Sequence, residues 1–333
     1  MRIAIIGAGG IAQKGYFPLL TIWPGVEIVS LFSRTQERVT SVCSEWKISN
    51  GTTDIQDVLK AKPDAAFILT NNATHFEFCK LMMENDIDVF SEKPLSDSSA
   101  QSYELARLAD QHQRILCVGF NRRYALLYRQ AKELFGSRRI QLAVIQKHRT
   151  NPPHTSLYNN YLDDTIHQID LLRFLCGEVE VVSTTYDMKD GMLHGAASML
   201  NIPKGGQAVL MTSLMAGEWQ ESATLHGDGL TVHVDAFREL RMRYEDHEVV
   251  YGTDRPGKWV PELRERGFQG QIEHFFDCIR TRQTPLTSAL EAARSQELME
   301  KMVKASGDEI ELPSGDWDQV SRWDNTPGTG SQK

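Results

Sequence analysis

The fold is decided by the first twelve residues, Met1-Arg2-Ile3-Ala4-Ile5-Ile6-Gly7-Ala8-Gly9-Gly10-Ile11-Ala12. The apolar run 3–6 contains three β-branched residues, which is typical of a parallel strand buried on both faces. Gly7, Gly9 and Ala12 then match the G-x-G-x-x-G/A pattern, which joins such a strand to a helix and binds a dinucleotide. A plain glycine turn is the alternative, but the preceding strand and the helix-compatible segment 11–20 favour the binding site.

Each position of this motif has a physical role. Gly7 permits a tight turn, Gly9 leaves room for a pyrophosphate beside the backbone, and Ala12 lets the helix pack closely on the strand. The N–H groups at the helix start, including those of Gly10 and Ile11, are expected to bind the phosphates because they have no partner inside the helix.

The composition limits the classes of partner. The 333 residues are 41% hydrophobic and carry a formal net charge of −8, which suits two domains and argues against a nucleic-acid or anionic-membrane partner. No apolar run is long enough to span a bilayer, and no signal peptide is recognisable, so we expect a cytoplasmic protein. The cysteines are scattered along the chain and are predicted to be reduced thiols that form neither disulfides nor a zinc site; they are Cys43, Cys79, Cys117, Cys176 and Cys278.

Residues 1–120 alternate short apolar strands with helical segments, which predicts a doubly wound parallel sheet of the α/β Rossmann type. The clearest helices are predicted over 73–85 and 98–111. Strands are predicted near residues 2–6, 27–32, 65–69, 87–90 and 115–118. We therefore assign 1–120 as an NAD(P)-binding domain.

The segment after the second strand bears on the choice of cofactor. An acidic residue there would bond the ribose 2′-hydroxyl of NAD, whereas an arginine can bind the 2′-phosphate of NADP. The chain has Ser33-Arg34-Thr35 at this point and no acid before Glu37. These three residues predict that NADP is preferred and NAD is possible, unless Arg34 is only a solvated loop residue.

Polar residues follow the third and fourth strands, at the sheet edge where open α/β folds bind ligands. Cofactor contacts are expected from Thr70, Asn71, Asn72, His75, Glu92 and Lys93. Helix capping by Asn72 and a structural role for His75 are the alternatives. Pro94 fixes the turn after Lys93, whose ammonium group can stabilise charge on a substrate oxygen if it points into the crevice. A solvated lysine at the sheet edge is the other interpretation.

Residues 121–325 have a different pattern, which predicts an α+β domain with a large, mostly antiparallel, open-faced sheet for substrate binding and oligomerisation. A helix over 123–135 and two helices within 268–305 accompany it, and the last two are expected to pack either on this domain or back on the first one. Strands are predicted over 140–148, 179–187, 192–202, 207–214, 221–226, 230–235 and 309–312. A flexible tail is expected over 326–333.

The helical segment 161–175 carries a candidate acid–base pair. Asp163 and His167 are four residues apart, so they share a helix face, and a nearby carboxylate raises the basicity of an imidazole. A structural pair at a domain boundary is the alternative, and no third ligand suggests a metal. We expect Asp164 to be solvated and Asp170 to anchor the boundary. Lys147, in the basic run 147–149, suits an acidic or polyhydroxylated ligand unless the run is a charged sheet edge.

The combined motifs resemble the Gfo/Idh/MocA oxidoreductase family over nearly the whole chain. The similarity rests on Gly7-x-Gly9-x-x-Ala12, Thr70-x-Asn72-x-x-His75, Glu92-Lys93-Pro94 and Asp163-x-x-x-His167-x-x-Asp170. The MviM-like branch, described as virulence-associated oxidoreductases, is the most similar, through segments 9–14, 119–123, 147–149, 162–164 and 266–268.

The resemblance implies roles for individual residues. Lys93 would be the active-site lysine, His167 the catalytic acid–base and Asp163 a carboxylate that orients the substrate. Substrate contacts are expected from Asn121, Arg123, Lys147, Asp163 and His167. The family also implies a homodimer or homotetramer that covers the outer face of the open sheet.

Two positions depart from the family pattern. Asn71 stands where proline is frequent, which affects loop rigidity, and Thr165 stands where glycine is usual, which is expected to place bulk near the substrate. We predict hydride transfer between the nicotinamide and a secondary alcohol of a sugar, polyol or related compound. A redox-assisted NAD-dependent glycoside hydrolase and a non-catalytic NADP-binding sensor or partner-binding protein are the alternatives.

Overall fold

The computed structural model describes residues 1–150, 154–203, 205–252, 259 and 261–307. Its first sheet has six parallel strands in the order β3-β2-β1-β4-β5-β6, as predicted for a doubly wound fold. The strands are β1 (Arg2–Ile6), β2 (Glu27–Phe32), β3 (Gly51–Thr52), β4 (Ala65–Ile68), β5 (Asp88–Ser91) and β6 (Leu116–Val118). The sequence predicted five of them, and the sixth, β3, is only two residues long.

Helices cover both faces of this sheet, and residues 3–6 of β1 are fully buried between them. The helices are α1 (Phe17–Leu20), α2 (Gln36–Trp46), α3 (Ile55–Lys60), α4 (His75–Glu84) and α5 (Ser99–Gln111). A π-helical turn, Ala12–Tyr16, precedes α1 within the segment predicted as a regular helix. This turn ends at Tyr16, whose fully buried side chain contributes to the candidate active site.

The second sheet has eight strands in the order β14-β13-β12-β11-β7-β10-β9-β8. Its neighbouring strands are antiparallel except for β7 and β10, which confirms the mostly antiparallel sheet predicted from the sequence. The strands are β7 (Leu142–Thr150), β8 (Glu180–Lys189), β9 (Met192–Ile202), β10 (Gly206–Ser213), β11 (Met215–Gly227), β12 (Leu230–Asp235), β13 (Glu239–Tyr244) and β14 (His247–Gly252). The hairpin of β13 and β14 was not predicted.

Helices pack on one side of this sheet and against the first one. They are α6 (Leu126–Phe135), α7 (Leu157–Asn160), α8 (Ile166–Cys176), α9 (Glu262–Glu265), α10 (Phe268–Thr281) and α11 (Ala289–Lys304). A short 3₁₀ turn, Asn121–Tyr124, precedes α6, so the first two residues of the helix predicted over 123–135 belong to this turn. A second π-helical turn, Tyr161–Thr165, lies between α7 and α8.

The two long C-terminal helices return to the first sheet. Phe275 of α10 makes edge contacts with Phe67 and Phe90, whose ring centroids are 5.5 and 5.6 Å away. Ser99 and Ser102 of α5 bond to glutamate and glutamine side chains of α11. The two halves are therefore joined by apolar packing and by hydrogen bonds. The predicted strand 309–312 and the tail 326–333 lie outside the described residues.

Candidate active site

The glycine turn after β1 has the geometry that its sequence predicts. Gly7 has φ of +106°, and a Cβ at this position would lie 2.7 Å from the carbonyl of Leu69. A Cβ on Gly9 or Gly10 would meet no atom within 4 Å, so open space adjoins the backbone there. Ala12 is fully buried against the sheet. The turn thus offers the free backbone and the close helix packing that a pyrophosphate site needs.

A cavity of about 420 Å³ adjoins this turn at the carboxyl ends of the strands. Its walls include Ser33, Arg34 and Thr35 after β2, and no aspartate or glutamate is among its lining residues in the described part of the chain. The remaining walls are Gly7, Ala8, Gly9, Gly10, Ile11, Phe32, Arg38, Leu69, Thr70, Asn71, Thr74 and Phe78. A basic, glycine-floored groove fits the phosphates and adenosine of a dinucleotide.

A second cavity of about 660 Å³ adjoins the first, since both are lined by Ile11 and Thr70. It lies between the two halves of the chain. Five predicted site residues meet in this cavity, namely Lys93, Asn121, Lys147, Asp163 and His167, together with Asn72 and Glu92 from the predicted cofactor set. The sequence therefore identified much of a shared cavity from positions far apart along the chain.

Lys93 reaches across to the second half of the molecule. Its Nζ donates to the carbonyl oxygen of Asp163 at 2.5 Å and lies 3.9 Å from the carboxylate of the same residue. The lysine side chain is only 17% exposed, which excludes the solvated interpretation. Its ammonium group retains two further N–H donors, which can serve a bound oxygen atom.

A buried network holds the backbone that presents Lys93. The carboxylate of Glu92 accepts from the backbone N–H of Lys93 at 3.0 Å and from the hydroxyl of Tyr16. Gln271 of α10 donates to that hydroxyl oxygen at 3.0 Å. Burial raises the pKa of Glu92 despite the opposing effects of Lys93 and Tyr16. Glu92 is thus both a cavity wall and a support for the lysine, whereas sequence reasoning overlooked Tyr16 and Gln271.

His167 has an environment that differs from the one predicted. Burial lowers its pKa well below the ordinary value, and the cations Arg122 and Lys93 lower it further, followed by Lys147 and Arg149. Its Nδ1 is buried without a hydrogen-bond partner among the described residues. The expectation that Asp163 raises the basicity of this histidine was wrong, because burial and cations dominate. The imidazole is consequently neutral near pH 7 and can accept a proton.

The π-helical turn Tyr161–Thr165 changes the spacing assumed for a regular helix. Asp163 is exposed and faces Lys93, whereas the next residue, Asp164, is buried. Thr165 is fully buried, and its hydroxyl donates to the side-chain oxygen of Asn160 at 2.9 Å. It does not line the cavity, so the expected bulk beside the substrate is absent at this residue.

Lys147 lies in a buried cluster of charges on the cavity floor. Its Nζ is 2.8 Å from Asp164 and 3.6 Å from Glu221, and Arg122 contacts Glu221 at 2.6 Å. Strand β7 lies inside the sheet, so the interpretation of 147–149 as a charged sheet edge was wrong. Burial lowers the pKa of Lys147 to about 8 against the opposing effects of Glu221 and Asp164.

The expectation that Asp164 is solvated was also wrong. Arg149 donates from Nε and Nη2 to its two carboxylate oxygens, at 3.1 and 2.5 Å. Burial alone would raise the pKa of Asp164, but Lys147 and Arg149 outweigh burial and hold it below the usual range. Asp164 is therefore an ionised partner of both cations.

The comparisons with known proteins agree with this geometry. The family model described as "Oxidoreductase family, NAD-binding Rossmann fold" matches residues 1–120. The protein described as "Putative oxidoreductase YceM" of Salmonella typhimurium is 31% identical to this chain over 313 residues, which cover 91% of this chain and 97% of that protein. The chain belongs to the Gfo/Idh/MocA family of oxidoreductases. Its Rossmann half is the NAD-binding unit of that family.

Two further relatives extend the comparison across the second half of the Gfo/Idh/MocA fold. The crystal structure of the dehydrogenase MviM from Clostridium difficile has a TM-score of 0.83 at 28% identity and covers 90% of this chain and 97% of that one. The scyllo-inositol 2-dehydrogenase (NAD(+)) of Bacillus subtilis is 24% identical over 323 residues, covering 90% of this chain and 92% of its own. The similarity to MviM agrees with the branch suggested by the sequence motifs.

Three predicted site residues, Ala12, His75 and Arg123, lie outside both cavities. His75 is fully buried, and its ring nitrogens contact the backbone oxygens of Pro94 at 2.7 Å and Thr70 at 3.2 Å. Arg123 donates to Asp170 at 2.7 and 2.8 Å instead of facing the substrate side. Their contacts support structural roles, and Asp170 is the anchor that the sequence suggested.

Proposed function

We propose that the chain is an NADP-dependent oxidoreductase that acts on a secondary alcohol of a sugar, polyol or related compound. The observation that carries this proposal is the pair of adjoining cavities. One adjoins the glycine turn that suits a diphosphate, and the other brings Lys93 and His167 together from opposite halves of the molecule. A catalytic site between a cofactor domain and a second domain is a common arrangement for hydride-transfer enzymes.

The proposed chemistry divides the work between three groups. A bound nicotinamide supplies the hydride chemistry. In the oxidation direction, the neutral imidazole of His167 accepts the hydroxyl proton. The ammonium group of Lys93 donates a hydrogen bond to the same oxygen and stabilises its negative charge before it becomes a carbonyl oxygen. Burial and the neighbouring cations, which together lower the pKa of His167, thus keep the imidazole in the neutral form that the first step needs.

A spectrophotometric screen tests this function. The protein is mixed with NADP and a series of inositols, sugars and sugar acids, and the absorbance of the reduced nicotinamide is recorded. The panel consists of alcohols because one of the relatives is an inositol dehydrogenase. Substrate-dependent reduction of NADP supports the proposal. Cleavage of a glycoside without net reduction would instead favour the redox-assisted hydrolase, and binding of NADP without either reaction would favour a sensor.

Arg34 is proposed to select NADP through its 2′-phosphate. The side chain is exposed in the first cavity, with no hydrogen-bond partner among the described residues and no carboxylate beside it. Arg34→Ala should raise the Kd for NADP by about tenfold or more, because a hydrogen bond to a charged group contributes about 1.5–3 kcal/mol. Calorimetric titration with NADP and NAD measures this effect, and the Kd for NAD should change little. Equal weakening of both cofactors would contradict the assignment.

We also propose that the enzyme self-associates through the open face of the second sheet. On β10, Ala208 and Leu210 are buried, whereas Val209 faces the other side and pairs with Met199, which is 45% exposed. An apolar sheet face of this kind suits a second copy of the chain. Analytical ultracentrifugation should find a dimer or tetramer, and Met199→Glu should shift it toward the monomer. A wild-type monomer at micromolar concentration would contradict the proposal.

A further inference from the structure

Two arginines lie against a pair of stacked aromatic rings beside the second cavity. The guanidinium groups of Arg149 and Arg266 lie 5.9 and 5.5 Å from the ring centroid of Trp219. Arg266 is also 4.8 Å from the centroid of Phe237, and the two rings are stacked at 6.2 Å. This packing fixes the planes of both guanidinium groups, so their N–H edges are held in position.

Both arginines retain donors that no described residue uses. Arg266 bonds through Nε to Glu262 at 2.6 Å, and its two terminal nitrogens have no partner in the part of the chain that the structure describes. Arg149 uses Nε and Nη2 for Asp164, which leaves Nη1 available. The two side chains are 34% and 35% exposed, and both line the cavity that contains Lys93 and His167. Their spare N–H groups are therefore accessible to a ligand.

The charges around this cavity are mainly positive, although the whole chain has a formal net charge of −8. Among the described lining residues, six are cationic, namely Lys14, Lys93, Arg122, Lys147, Arg149 and Arg266. Four are acidic, namely Glu92, Asp163, Asp164 and Glu262. Each of these carboxylates already has a hydrogen-bond donor or a cation beside it. Cations still outnumber carboxylates by one when Glu221, which lies behind Lys147, is included.

We propose that the substrate of this enzyme carries an oxyanion, and that Arg149 and Arg266 bind it while Lys93 and His167 act on the alcohol. The inference rests on the proposed function and narrows its substrate class to acidic sugars or polyols. A carboxylate or a phosphoryl group matches the fork of an arginine, and either would add the negative charge that this cavity lacks. A neutral polyol would leave the terminal N–H groups of Arg266 without a charged partner.

Calorimetric titration of the NADP-loaded protein tests this inference without requiring turnover. The probes are D-glucose, D-glucuronate and D-glucose 6-phosphate, which share a ring and differ in charge. We expect at least one acid to bind about tenfold more tightly than D-glucose, and the better of the two identifies a carboxylate or a phosphoryl site. Higher salt should weaken the binding of the acid and leave that of D-glucose unchanged. If neither acid binds more tightly than D-glucose, the inference is wrong.

Variants locate the binding of the anion. Arg266→Gln should remove most of the preference for the acid, and Arg266→Lys should restore only part of it because lysine lacks the planar fork. Arg280→Gln is the matched control, since Arg280 is paired with Asp277 on the surface of α10 and should leave the preference intact. A preference that survives in a folded Arg266→Gln protein would overturn the assignment. Failure to bind NADP would instead count against the proposed function itself.

Discussion

Replacing Lys93 with methionine should lower kcat about 10²- to 10³-fold on any substrate that the wild-type enzyme oxidises, because a donor to the charged oxygen is lost. The Kd for NADP should remain within about twofold, since the glycine turn and Arg34 are untouched. Steady-state kinetics and calorimetric titration of NADP measure the two quantities. Methionine keeps most of the side-chain volume, so the buried stem of the lysine is replaced without a cavity.

Lys60→Met is a suitable control for this experiment. Lys60 is an exposed lysine of α3 that is paired with Asp57, remote from both cavities, and its loss should leave kcat unchanged. The thermal unfolding midpoint of Lys93→Met should be recorded as well, because Lys93 bonds the backbone of Asp163 across the two halves. A folded Lys93→Met protein with wild-type kcat would remove Lys93 from the mechanism.

His167→Asn should reduce kcat by about 10²- to 10⁴-fold, the usual contribution of general acid–base catalysis. In the wild type, the lowered pKa of His167 keeps the base unprotonated as the pH falls through about 6.5, the ordinary histidine value. The pH dependence of kcat/KM for alcohol oxidation should therefore contain no loss from protonation of this base between about pH 8 and pH 6.5. A clear loss of kcat/KM with a midpoint near pH 6.5, absent from His167→Asn, would contradict the lowered pKa.

The same histidine should affect stability in acid. Its pKa is lower in the folded protein than in the unfolded chain, so below about pH 6.5 the unfolded chain binds the additional proton. The stability is thus fully present above that pH and decreases as the pH falls toward the folded pKa, by at most about 1.4 kcal/mol per pH unit. Unfolding of wild type and His167→Asn at several pH values measures this slope. The exposed His247 provides the control substitution His247→Asn.

The sequence predicted the first sheet closely because its signals are local. A buried strand such as β1 is a continuous apolar run, and the turn after it requires glycine at Gly7, which has positive φ. The β13–β14 hairpin was missed because charged residues occupy its strands and Glu245-Asp246 form its turn in the left-handed region. Residues 239–244 do alternate charged and apolar side chains, so β13 carried a period-2 signal that was overlooked, whereas β14 has no such alternation.

Residues of the candidate site could be predicted where they lie within a local sequence motif. Lys93 and His167 were found because each follows a local pattern, although their shared cavity depends on how the two halves pack. The π-helical turn before α8 was not predictable from an i,i+4 rule, so the environments of Asp164 and Thr165 were misjudged. Segment 266–268 was noted only for its similarity to the MviM-like branch, and no site role was assigned to Arg266, because its placement depends on the distant rings of Trp219 and Phe237.

The most direct test of the central claim is a crystal structure of the NADP complex, in which the positions of Lys93 Nζ and the His167 imidazole are measured relative to the nicotinamide ring. The account predicts that both lie within about 4–5 Å of one point beside the reactive carbon, where a substrate oxygen would be in reach of both. A complex whose nicotinamide lies outside the cavity that contains these two side chains, or whose diphosphate does not contact the Gly7–Ala12 turn, would contradict the account.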